Sequence, residues 1–175
     1  MEAKDPYTAG HSDRVSEIMR VMAHHVWGVS PEVSTLVLAG RLHDIGKVDA
    51  KTEVLNKPGP LKDEEWDHVK MHPVVGEHIL SPIIELSGVA KIVRHHHERF
   101  DGTGYPDGLV GADIPEGARI LGIADAYDAM TSDRPYRRAL DSALAIKEIT
   151  AKAGEQFDPK WAKIFVELFE TGTLG

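Results

Sequence analysis

No cysteine occurs among the 175 residues, which excludes a disulfide framework, a thiolate metal site and a cysteine nucleophile. Any metal must be held by nitrogen and oxygen. Long apolar runs are missing too: none approaches the roughly 20 residues that span a bilayer. The opening MEAKDPYTAGHSDRV has neither an apolar signal segment nor an Arg-rich amphipathic one. Membrane insertion and export are therefore not expected, and a cytoplasmic location is. Cations are in the minority, with 20 Lys and Arg against 28 Asp and Glu, a formal charge of −8 with the ten histidines neutral. A negative field repels nucleic acid polymer, so a phosphate-bearing ligand would need cations concentrated locally. Aromatics are sparse at 6%, but 42% hydrophobic and 27% charged residues suit a globular chain that buries one continuous core, and the length fits one domain.

Alternating apolar and polar runs of strand length are absent, while apolar residues recur every three or four positions, the helical signal. Val15, Ile18, Met19, Met22 and Val26 mark a helix from about Thr8 to Trp27. Ser30 before Pro31 predicts an N-cap and a first-turn proline for a second helix reaching about Asp44. Short helices are predicted at Asp63 to Met71 and Pro73 to Leu80, and a longer one at Ser87 to Arg99. The stretch DGTGYPDGLVGADIP is too rich in Gly and Pro to continue it. Further helices open at Pro115, at Ser142 behind Asp141, and at Asp158 with Pro159. No repeat, linker or low-complexity segment interrupts the chain, so the expectation is a single all-α domain over residues 1–175.

The histidines are placed more informatively than they are numerous. His43 and Asp44 stand together where the second helix ends, and both side chains can turn into one pocket. His96 and His97 precede the Gly-rich loop. Adjacent helical positions point roughly 100° apart, so these two could serve one metal only at a distorted helix end. His72 precedes a proline, which predicts extended backbone at a junction. His11 lies one turn before Val15 on the apolar face of the first helix, and Asp125 sits among Ile123, Ala124 and Ala126. A charged carboxylate on a buried face needs a partner. Taken singly, each has an ordinary explanation as a satisfied core histidine or a solvated helix end. Together, five histidines and two carboxylates on at least four elements suit a binuclear metal site.

HDIGK at 43 to 47, HHERFDGTGYPDGL at 96 to 109 and ADAYDAMTSDRPYR at 124 to 137 resemble the HD-GYP subgroup of HD-domain metal phosphohydrolases. The likeness runs from DPYTAGHSDRV to FDP at 157 to 159, nearly the whole chain. It implies an all-helical bundle with a Gly/Pro-rich GYP loop and hydrolysis of the bacterial second messenger cyclic di-GMP by a divalent-metal cluster. The implied ligands are His11, His43, Asp44, His72, His96, His97 and Asp125, with Asp44 bridging the metals. Some members hold a third metal with a Glu one turn before the first ligand histidine. Tyr7 stands there in this chain, so two metals are expected, iron or manganese by resemblance.

In this scheme Lys47 reaches the scissile phosphate as a point charge or proton donor, beside the bridging Asp44. Arg134 and Arg137 resemble the family's contacts to phosphates or guanines. Tyr105 stacks on a guanine or shapes the loop, whose turns Gly102, Gly104 and Gly108 permit. His95 is expected to pack rather than ligate, Asp128 to orient a ligand, and His24, His25, His68 and His78 to lie apart from any metal. Family members are usually fused to sensory domains, so an excised output domain is expected. The products would be linear pGpG and GMP, with cyclic GMP-AMP an alternative substrate. Two rival readings are a non-catalytic module binding a cyclic dinucleotide or a diguanylate cyclase, and an HD phosphohydrolase for another nucleotide.

Overall fold

Val15, Met19 and Met22 are fully buried on one side of α1 (His11–Trp27), as their spacing of four and three residues requires. The computed structural model describes residues 10–55, 57, 59–133 and 138–174. Tyr7, Arg134 and Arg137 lie outside them. Helix α2 (Pro31–Leu42) packs along α1, with Pro31 in its first turn as expected. Ser30 holds the N-cap position in extended backbone, but its side chain makes no capping hydrogen bond.

The helices that follow are α3 (Thr52–Leu55), α4 (Asp63–Val69), α5 (His72–Leu80), α6 (Ser87–His95), α7 (Glu116–Thr131), α8 (Ser142–Ala151) and α9 (Pro159–Glu170). Among the described residues the only β-type pairing is one isolated bridge, Ala153 with Phe157. Tight 3-10 turns at Ile45–Val48, Ile84–Leu86 and Gly111–Asp113, and the single-turn α3, were not foreseen, because segments of three or four residues carry no periodic signal.

The central helix is α7, which touches α1, α2, α6, α8 and α9 and buries Ala118, Ile120, Leu121, Ile123 and Ala124. Trp161 and Phe165 of α9 are fully buried behind it. Asp141 and Asp158 cap α8 and α9, each accepting a backbone N–H at 2.9 and 2.8 Å. Asp158 is itself buried and paired with Arg119.

The chain's junctions carry the site. Helix α2 winds on through His43, and Asp44 then turns the backbone (φ −90°, ψ 4°) into the 45–48 turn. That turn lies against α5 so closely that a Cβ on Gly46 would overlap the His72 carbonyl. His72 corrects the expectation of extended backbone before proline. Met71 is right-handed helical (φ −78°, ψ −14°), and His72 opens α5 with Pro73 inside its first turn, where the missing proline N–H leaves no helical bond unmade. The GYP loop is non-helical as expected, with a cis Tyr105–Pro106 bond and left-handed Gly102 and Gly108 at φ 81° and 67°.

Candidate metal centre

Five helix ends or faces converge on one cleft of about 740 Å³. His11 comes from the start of α1, His43 and Asp44 from the end of α2, His72 from the start of α5, His96 and His97 from just past α6, and Asp125 from the middle of α7. Two groups result whose ligand atoms lie within 4.8 Å of one another: His11, His43 and Asp125, and His72, His96 and His97. His96 caps α6 in right-handed backbone (φ −69°, ψ −13°). Beyond it the chain leaves the helix, and the His96 and His97 rings come to lie 4.0 Å apart, tilted by 39°.

Asp44 stands between the groups. Its Oδ2 is 3.6 Å from His43 Nε2 and its Oδ1 is 3.5 Å from His72 Nε2. Asp125 reaches His11 Nε2 at 3.3 Å and His43 Nε2 at 4.0 Å, which supplies the partner its place on α7 demanded.

The imidazoles are oriented from behind. His43 Nδ1 donates to the Gly40 carbonyl at 2.8 Å, His72 Nδ1 to Val69 at 2.7 Å, and His96 Nδ1 to Val93 at 2.6 Å. His11 Nδ1 donates to Asp128 Oδ2 at 2.7 Å. With the protons on Nδ1, the Nε2 atoms of His43, His72 and His96 turn lone pairs to the cleft, the arrangement metal-bound histidines adopt, and the Nε2 of His11 faces it too. Two such pairs face each other at 3.3 Å, His11 with His43 and His72 with His96. Bare lone pairs at that distance repel unless a proton or cation lies between them. Two nitrogens sharing one transition metal at about 2.0 to 2.1 Å stand roughly 3 to 3.4 Å apart. The donor set therefore fits divalent metal ions.

Electrostatics agree. Burial, reinforced by neighbouring histidines, holds His96 well below the ordinary imidazole range and His97 at about 4, so both are neutral donors. Burial also lowers His72. It opposes charge on His11 as well, but hydrogen bonds with Asp125 and Asp128 outweigh it and raise this imidazole to about 9. Asp44 and Asp125 stay ionised despite burial, Asp44 through Lys47, His43 and His72, and Asp125 through His11 and His43.

Lys47 Nζ lies 2.7 Å from Asp44 Oδ2 at the cleft floor. Tyr105 stacks on His97 at 4.9 Å and 30°, so one face of its ring is covered. The loop that carries it is anchored by a residue the sequence reading passed over. Buried Glu98 accepts backbone N–H groups from Asp107, Gly108 and Leu109 at 2.7, 3.1 and 3.2 Å. The HHE string contains it, but nothing local announces a bond ten residues away. His95 is turned from the cleft and bonded to the Lys91 carbonyl and Asp107. Among the described residues His24, His25, His68 and His78 join no metal-capable group.

An all-helical domain whose helix ends gather imidazoles and carboxylates in this way is an HD domain, and the chain belongs to that family: residues 1–161 match its model. Within it the HDIGK, HHE and GYP strings set the chain in the HD-GYP group. It is 41% identical over 99% of its length to a cyclic di-GMP phosphodiesterase of Pseudomonas aeruginosa, covering 43% of that protein. It is 39% identical over 91% of its length to the cyclic di-GMP phosphodiesterase response regulator RpfG of Xanthomonas campestris, again covering 43%. Similarity to the 3'3'-cGAMP-specific phosphodiesterase 3 of Vibrio cholerae is 41% over 85% of the chain and 33% of that protein. The chain thus spans less than half the length of these relatives. The fold is shared with a solved cyclic GMP-AMP specific phosphodiesterase of V. cholerae, with a TM-score of 0.73 at 19% identity over 94% of this chain and 44% of that one. It is also shared with an HD-GYP-type protein of Bdellovibrio bacteriovorus, with a TM-score of 0.72 at 21% identity over 91% and 51%.

Proposed function

We propose that the chain is the catalytic domain of a metal-dependent phosphodiesterase that hydrolyses cyclic di-GMP to linear pGpG and on to GMP in the cytoplasm. We take it to be the output part of a longer signalling protein, fused to or partnered by sensory or diguanylate cyclase domains. The observation that carries this reading is the Asp44 carboxylate, whose two oxygens face the two histidine groups at 3.6 and 3.5 Å. A lone structural aspartate has no need of that placement.

His11, His43 and Asp125 would hold one ion and His72, His96 and His97 another, with Asp44 shared. Five imidazoles suit iron, manganese, nickel, cobalt or zinc better than magnesium, and the family resemblance favours iron or manganese. Two divalent cations so held supply charge that neutralises phosphate and lowers the pKa of water. The chain's own residues do the rest. Lys47 meets the scissile phosphate and donates a proton to the departing ribose oxygen as its bond to phosphorus breaks and water provides the new one. Asp44 keeps the Lys47 ammonium in place at 2.7 Å. Tyr105, backed by His97, closes one side of the cleft. Arg134 and Arg137 are assigned to the distal phosphate or the guanine edges, where a planar fork bonds bidentately.

A second substrate, 3'3'-cGAMP, is suggested by the name of the V. cholerae relative. The non-catalytic reading is weaker, since a binding module has no use for seven inward donors. The test is purification without chelator, metal analysis, and incubation with cyclic di-GMP with and without added Mn or Fe(II). Metal-dependent release of pGpG or GMP at about two metals per chain is the expected result. Bound metal without product would instead select the regulatory module.

A further inference from the structure

The cleft has two unlike walls. One is the polar floor of His11, Asp44, Lys47, His72, His97 and Asp125; the other is apolar, formed by Val54, Leu55, Leu61, Trp66 and Val69 from the segment around α3 and α4. Trp66 is the large side chain of that wall, and 45% of it is exposed. No side chain of α4 is fully buried, and the helix is held at the surface by partly covered side chains such as Val69. The other two tryptophans behave differently: Trp161 is fully buried and meets Trp27 edge to face at 5.6 Å. A flat, half-exposed indole across a cleft from an ammonium and two histidine groups matches a ligand with an anionic part and a flat apolar part. A nucleotide is such a ligand. The Lys70 ammonium lies over the same indole, 5.7 Å from its centroid.

We propose that Trp66 is a substrate-contacting residue, its indole stacking on one purine of the cyclic dinucleotide whose phosphate lies at Lys47. This rests on the phosphodiesterase reading above. Stacking on an aromatic ring tolerates any base, because every base presents a π-face. Trp66 therefore contributes affinity for cyclic di-GMP and cGAMP alike, and the choice between them is made elsewhere. A single stacked base is worth about five- to a hundredfold in binding.

The experiment compares metal-loaded wild type, Trp66→Phe and Trp66→Leu in steady-state hydrolysis of both dinucleotides. Circular dichroism melting of each variant checks that the fold is retained. Trp66→Leu is expected to raise KM about tenfold or more for both substrates with kcat little altered, and Trp66→Phe to restore much of the loss. Binding of a cleavage-resistant phosphorothioate cyclic di-GMP should quench tryptophan emission in wild type and not in Trp66→Phe, which keeps Trp27 and Trp161. Hydrolysis by wild type with unchanged KM in Trp66→Leu overturns the assignment and leaves the phosphodiesterase reading standing. A KM change confined to one dinucleotide overturns it as well. No hydrolysis by wild type with any metal overturns the parent reading, and this assignment with it.

Discussion

Asp128 holds His11 from behind, its Oδ2 2.7 Å from Nδ1, while Asp125, three residues earlier on α7, meets Nε2 of the same ring at 3.3 Å. One helix therefore sets both the direction of this imidazole and its neighbour in the cleft. Arg14 and Ser132 fix Asp128 in turn. An amide in its place keeps the shape but weakens the acceptor, so Asp128→Asn is expected to lower metal affinity about 10- to 100-fold. Metal titration of the two proteins reads this. Equal affinities would remove Asp128 from the support of the site.

Lys47 is separable from metal binding. Replacing it with methionine leaves the seven donors intact and removes the ammonium beside Asp44. A fall in kcat of about 10²- to 10⁴-fold is expected, with metal content preserved on the same sample. Full turnover in Lys47→Met would show that the proton comes from elsewhere.

Gly46 packs its backbone against α5 behind the site. A Cβ there would overlap the His72 carbonyl and crowd the Gly76 nitrogen at 2.6 Å. Backbone cannot step aside as a flexible side chain does, so Gly46→Ala should cost about 1 to 3 kcal/mol. Gly88→Ala is the control, since its Cβ would meet only Thr35 Cγ2 at 3.4 Å. Denaturation midpoints compare the two, and equal values would contradict the close packing of this turn on α5.

Metal removal should destabilise the fold, because the two histidine groups join α1, α2, α5, α6 and α7. At metal a hundredfold above its Kd, about 2.7 kcal/mol of stabilisation is expected from binding alone. A Tm unaffected by chelation followed by metal readdition would count against a cation at this junction.

The GYP loop carries an acid-sensitive tie. Arg94 bonds both oxygens of Asp107 at 2.7 and 2.8 Å, which lowers this carboxyl below its usual range against a smaller opposing effect of burial. A depressed carboxylate stabilises the fold above its unfolded pKa and loses that contribution as pH falls through the folded value. Asp107 is one-third exposed, so solvent screens the pair and the effect is modest. Asp107→Asn should be less stable than wild type at about pH 6, with the gap narrowing below about pH 4. Urea midpoints across that range measure it, and a gap independent of pH would refute the tie.

Much of this was legible in the sequence for a definite reason. The long helices follow from period alone, as Val15, Met19 and Met22 illustrate, and the late caps follow from Asp141 and Asp158. The convergence of the histidines was readable from their company rather than from any one of them. Local rules failed where tertiary contact decides. His72 opens a helix despite the following proline, and Ser30 occupies a cap without bonding it. Glu98 and Gly46 act across the fold, on loop amides ten residues away and on a neighbouring helix. Trp66 gives no periodic signal, since no side chain of α4 is fully buried to mark a core face.

The unequal anchoring of the two cleft walls has a consequence for how such a protein can change. The histidine floor hangs from helix ends whose backbones are wedged in the core, and a substitution there strains five elements together. The Trp66 wall rests on a helix with no fully buried side chain, so its side chains can be exchanged at less cost to folding than those of the floor. Ligand affinity can thus drift on one side of the cleft while the chemistry on the other stays fixed.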